Sequence, residues 1–171
     1  MSGEVTQLLL AVSMLVGNAF FVGAEFGLVS SRRSNIELEA LNGSRAAKIT
    51  LGAMERVSLM LAGAQLGVTV CSLIFGAVAE PLVAHHLEQP FHTLGLSEGL
   101  LHPISFVIAL ILMTYLHVVL GEMVPKNLAL AGPTKAALWL TPPLVFVRRV
   151  SVLSGSSVLS SAASSPMRAS S

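Results

Sequence analysis

The sequence predicts an all-α membrane protein: three transmembrane helices, cytoplasmic juxtamembrane helices and a disordered serine-rich tail. Three observations carry that prediction. Hydrophobic residues make up 53% of the 171-residue chain and charged residues 11%, with a mean hydropathy of +0.77, whereas soluble domains carry roughly 25% charged residues. The apolar residues gather into three uncharged runs, Val5–Ala24, Val57–Ala79 and Leu100–Gly121, each near the ~20 residues that cross a bilayer core. All ten Lys and Arg fall on one side of a three-span arrangement, in 31–56 and after residue 125.

The elements follow in order. Span one is placed at about 5–30. It is not a cleaved leader, because Glu4 is the only charge before it and its apolar core exceeds the roughly 7–15 residues of a leader. Residues 31–56 mix charges with Ile36, Leu38, Leu41, Ile49, Leu51 and Met54. That pattern predicts amphipathic helix at the membrane interface, broken near Asn42-Gly43. Span two is placed at about 57–80. The 80–99 connection holds His85, His86 and His92, with His102 just beyond. Their spacing fits no compact metal site and predicts a solvated loop. Span three is placed at about 100–124, and 127–150 completes the juxtamembrane helices. Within it, Ala136–Val147 is too short to cross and contains Pro142-Pro143, so it reads as re-entrant or interfacial. Residues 151–171 contain ten serines, a composition that builds no core.

Composition also excludes functions. A net charge of +1 and the lack of a basic run argue against a nucleic-acid partner. Cys71 stands alone in an apolar run, which leaves no disulfide framework and makes it a packing residue. No catalytic constellation emerges, so the reading is not an enzyme. Basic residues on one side place the N-terminus outside and the C-terminus in the cytoplasm of a plasma-membrane protein.

Polar residues within the spans carry the functional signal. Glu25 and Glu122 sit at or near membrane depth, where a carboxylate costs about 2.5–3.5 kcal/mol on insertion scales. The plain alternative puts both at the interface, beside Arg32 and Lys126. Asn18 and Glu25 are seven residues apart on one face of span one; Gln65, Thr69 and Ser72 share a face of span two. Gly63, Ala64, Gly67 and Gly76 allow helices to approach closely. Ordinary interhelical hydrogen bonding is the alternative there. In LHVVLGEMVPKNLAL (116–130), Pro125 has no N–H to give the Gly121 carbonyl. That carbonyl must find another helix, a water or an ion. A bare carbonyl, two carboxylates and amide and hydroxyl oxygens suit a hard cation. The residues do not choose among Mg²⁺, Ca²⁺ and Na⁺.

Three stretches, NAFFVGAEFGLVSSRR (18–33), AGAQLGVTVCSLIFGAVAEP (62–81) and TYLHVVLGEMVPKNLAL (114–130), resemble the transmembrane domain of the CorC/cyclin-M (CNNM) family. These are magnesium and cobalt efflux proteins, long described in bacteria as hemolysin-like. The resemblance covers about residues 4–150, and Gly-Glu-x-x-Pro-Lys is its most specific element. It implies a homodimer in the lipid bilayer that exports Mg²⁺ or Co²⁺ with Na⁺ as coupling ion. The implied metal residues are Glu25, Gln65, Thr69, Ser72, Gly121 and Glu122, with Asn18, Pro125 and Lys126 structural or gating. The chain departs from the family pattern at Val22, where many members have serine, and at Ala64 and Gln65, where many have paired asparagines. The nucleotide-binding CBS domains usual in the family do not follow residue 150, so no nucleotide partner is expected. A transport-inactive scaffold or regulator is the competing expectation. A pore-forming lysin rests only on the old description.

Overall fold

A computed structural model describes residues 2–93 and 97–163, with side chains described for all of these except 2, 98 and 149–163. Helix α1 (Ser2–Ser30), α4 (Val57–Thr93) and a third span are the helices long and apolar enough to cross a membrane among the described residues. The third span is composite: α5 (Glu98–Leu116), a π-helical segment (His117–Met123) and α6 (Val124–Ala131). Two short helices, α2 (Arg33–Leu41) and α3 (Arg45–Met54), link the first two spans. The long helix α7 (Pro133–Ala163) follows α6. Its backbone runs through Ala163; the expected disordered tail lies, from residue 164 on, outside the described residues.

Small residues set the spacing between spans. Ala11, Ala24, Ala64, Ala79 and Ala109 are buried, while Leu9, Val16, Leu66, Leu73 and Ile111 are well over half exposed. Bulky side chains outside and alanines inside invert the pattern of a soluble domain. In lipid this costs nothing, because the tails are as apolar as leucine and close backbone contact drives association. The lone Cys71 is 7% exposed, and a Cβ on Gly17 would come within 3.1 Å of its Sγ.

The α2–α3 turn falls at Asn42–Gly43, where Gly43 has φ +91°, a conformation that L side chains resist. Ser44 caps α3 by accepting from the Ala47 N–H. Glu37, four residues after Arg33, accepts from its guanidinium at 2.8 Å and raises its pKa.

Two segments differ from the sequence expectations. The 80–99 connection is helical through Thr93, not a loop, because neither Pro81 nor Pro90 ends α4. Its 37 residues rise about 55 Å at 1.5 Å each, against a bilayer core of about 30 Å. There Glu88 accepts from or pairs with His102 across the hairpin at 2.8 Å, and His85 lies 3.9 Å from it. The Pro142-Pro143 pair likewise sits inside continuous helix. Helix α7 crosses the bundle as a girdle. Ala136 meets Gly27, Leu140 meets Gly23, Leu144 packs with Ala24 and Ala64, and Arg148 reaches Gly63. Ser31 Oγ lies 2.8 Å from the Pro133 carbonyl and Thr50 Oγ1 3.5 Å from that of Ala137, fixing the girdle to α1 and α3. Packing against these elements holds the helix that the two prolines weaken locally.

Candidate cation site

The site begins with what Pro125 does to the third span. Without an N–H, it cannot serve the Gly121 carbonyl in α register. The chain answers upstream with π winding, in which the Val124 N–H bonds the Val119 carbonyl. Such single-turn bulges widen a helix and concentrate at functional positions. The Gly121 carbonyl finds its partner in another helix: Asn18 Nδ2 donates to it at 2.9 Å. Asn18 is 0% exposed. Gly121 makes the approach possible, because a Cβ there would stand 3.0 Å from that nitrogen.

Asn18 is the centre of a buried network. Its Oδ1 accepts from Ser72 Oγ at 3.2 Å, and Ser72 Oγ also lies 3.1 Å from His117 Nε2. His117 stacks near Phe75, with ring centroids 5.4 Å apart, and its Nε2 is 3.5 Å from Glu122 Oε1. Span one, span two and the π segment are thus tied together by side chains at one level.

Toward the basic end, a pocket of about 470 Å³ opens between the same three elements. Glu25, Gln65, Thr69, Glu122 and Lys126 line it, with Val22. Gln65 Nε2 donates to Glu25 Oε1 at 3.4 Å, and Thr69 Oγ1 donates to the Gln65 carbonyl at 2.9 Å. Those bonds leave the Thr69 oxygen lone pairs and both carboxylates able to accept. The Lys126 ammonium lies 4.6 Å from the Phe26 ring centroid, a cation–π contact. On the other side of the network, a cavity of about 270 Å³ is lined by Ser72, Glu80, Thr114 and His117.

The residues singled out from sequence therefore divide. Glu25, Gln65, Thr69 and Glu122 come together at one pocket with Lys126. Gly121 and Ser72 do not line it; the first is engaged by Asn18 and the second faces the other cavity. Helix rotation decides this: Thr69 and Ser72 share a broad face, but three residues' rise moves Ser72 a layer deeper. His117 is not among the residues singled out from sequence. An ionisable residue at membrane depth was the available signal. Among the described residues no group of three or more His, Cys, Asp or Glu is arranged to hold a metal. Oxygen ligation at the pocket would have to include Gln65 or Thr69.

Fold and site together define a polytopic membrane domain built around an oxygen-lined pocket between three spans. The chain belongs to the CNNM family: the family's Cyclin M transmembrane N-terminal domain matches residues 9–160. It is 49% identical over 144 residues to the uncharacterized protein MT1889 of Mycobacterium tuberculosis, a match covering 84% of this chain and 41% of that protein. It is 33% identical over 143 residues to UPF0053 protein YugS of Bacillus subtilis, covering 83% and 33%. UPF0053 protein sll0260 of Synechocystis is 31% identical over 137 residues, covering 80% and 31%. The chain spans less than half the length of these relatives.

Proposed function

We propose that this domain is a transporter that exports Mg²⁺, with Co²⁺ as a further cargo and Na⁺ as coupling ion. It works as a homodimer in the plasma membrane, its N-terminus outside and its basic end in the cytoplasm. The observation that carries the reading is the pocket at the basic end. Two carboxylates from different spans face it, and two dispersed negative charges with neutral oxygens suit a hard dication. Carboxylates at this depth are costly unless a cation or partner offsets them. Family membership supports the same reading.

The buried network would be the barrier. Asn18, Ser72, His117 and Gly121 stand between the pocket and the cavity beyond, so a cation leaving the pocket must part them. Glu122 touches both, through the pocket and through His117. It is the residue best placed to sense occupancy. Lys126, held over Phe26, leaves the pocket when a dication enters.

The test is flux in proteoliposomes containing a Mg²⁺ indicator under an imposed Na⁺ gradient. Glu122→Gln should abolish Mg²⁺ movement while the protein remains folded; flux indifferent to that change sinks the assignment. A second reading, a transport-inactive scaffold, is favoured by Lys126 lining the pocket, since an ammonium can neutralise the acids without any ion. It predicts no thermal stabilisation by Mg²⁺. A transporter binding only when folded gains roughly 2.7 kcal/mol at 100 times its Kd.

A further inference from the structure

We propose that the groove between α1, α6 and α7 is a binding site for an anionic phospholipid, its acyl chain along the spans and its phosphate at Lys135. The groove encloses about 780 Å³. Its deep end is formed by Val16 and Leu120, its open end by Gly132 and Lys135. It follows α1 from Val16 to Gly23, about 10 Å at 1.5 Å per residue. Its long axis thus lies parallel to the spans, the direction a lipid tail takes.

Among the described residues Lys135 is the only charged one lining it. Among the described residues no carboxylate lies within salt-bridge distance of Lys135; Arg33 is the only Lys or Arg with such a partner. An unpaired ammonium closing an apolar groove matches a single phosphate above an acyl chain. Basic pockets between membrane helices recognise lipid headgroups in this way. Trp139, on the same groove wall, is 82% exposed. A tryptophan placed so belongs at the headgroup level, where its ring meets both phases. The construction recurs across α7: a groove of about 550 Å³ between α1, α4 and α7 is lined by Leu59, Leu66 and Val70, with Arg148 as its only charge among the described residues.

Trp139 is the chain's single tryptophan, so its fluorescence reports this groove alone. The full chain is reconstituted in phosphatidylcholine containing a minor fraction of acyl-brominated phosphatidylglycerol or, separately, acyl-brominated phosphatidylcholine. Quenching should show phosphatidylglycerol enriched roughly fivefold at Trp139, the factor one near-surface lysine supplies. Lys135→Ala should erase the preference, Lys135→Arg should keep it, and Lys48→Ala should leave it unchanged. Circular dichroism confirms that each variant is folded. Equal quenching by the two lipids overturns the proposal. So does a preference that survives Lys135→Ala or disappears with Lys48→Ala. Shielding of Trp139 from both lipids also overturns it, because a second copy would then occupy the groove.

Discussion

The third span is two unlike helices joined end to end. From Glu98 to Leu116 it is regular, packs on α4 and turns Val107, Ile108, Ile111 and Leu112 outward. From His117 to Ala131 it changes winding, carries Glu122, Pro125 and Lys126, and packs on α1. The regular half packs mainly on α4 and keeps α winding through its own proline, Pro103, near its start. The irregular half meets span one, and span two through Ser72 and His117; its backbone needs Asn18 to complete it. Polarity and broken winding therefore occur together, at the level where three spans converge. A lipid-facing carbonyl could not be left in that condition.

The contrast can be tested by stability. Asn18→Leu should have the largest effect. It leaves the buried Gly121 carbonyl without its donor and takes one of two partners from half-buried Ser72, which keeps His117, at about 2–3 kcal/mol. A melt of the purified protein should show the loss directly. Gly121→Ala comes next. The added methyl would stand 3.0 Å from Asn18 Nδ2 and 3.2 Å from Leu15 Cδ1, and overpacking of that kind costs about 1–3 kcal/mol. The smallest effect belongs to the regular half. Ile111 is 64% exposed, so Ile111→Ala should change stability by less than about 0.5 kcal/mol. If Ile111→Ala costs as much as Gly121→Ala in the same melt, the two halves are not energetically distinct.

Much of this was legible in the residues. Apolar runs of membrane length located three spans, though α4 runs past the first charge, Glu80, to Thr93. Pro125 announced that the Gly121 carbonyl would be released. Its partner was harder to read. Asn18 lies 103 positions away, and only the rotation of α1 brings its amide to that carbonyl rather than toward the Glu25 pocket. The same holds for Ser72, whose spacing from Gln65 is helical but whose depth places it with His117. Spacing along one helix gives a face; it does not give the depth at which another helix meets that face. Helix continuity was harder to read as well. The 80–99 stretch reads as loop and the Pro142-Pro143 pair as re-entrant or interfacial, yet α4 continues to Thr93 and α7 runs through its prolines as helix.

The burial of Cys71 has a practical consequence for topology mapping. The chain has one thiol, and it is packed between α1 and α4 at membrane depth. A reagent confined to water does not reach it, so the unaltered chain serves as a silent background. A cysteine substituted for exposed Lys48 and another for exposed His85 then become single addressable labels at opposite ends of the bundle. Which of the two reacts in sealed, right-side-out vesicles assigns inside and outside without disturbing the site between them.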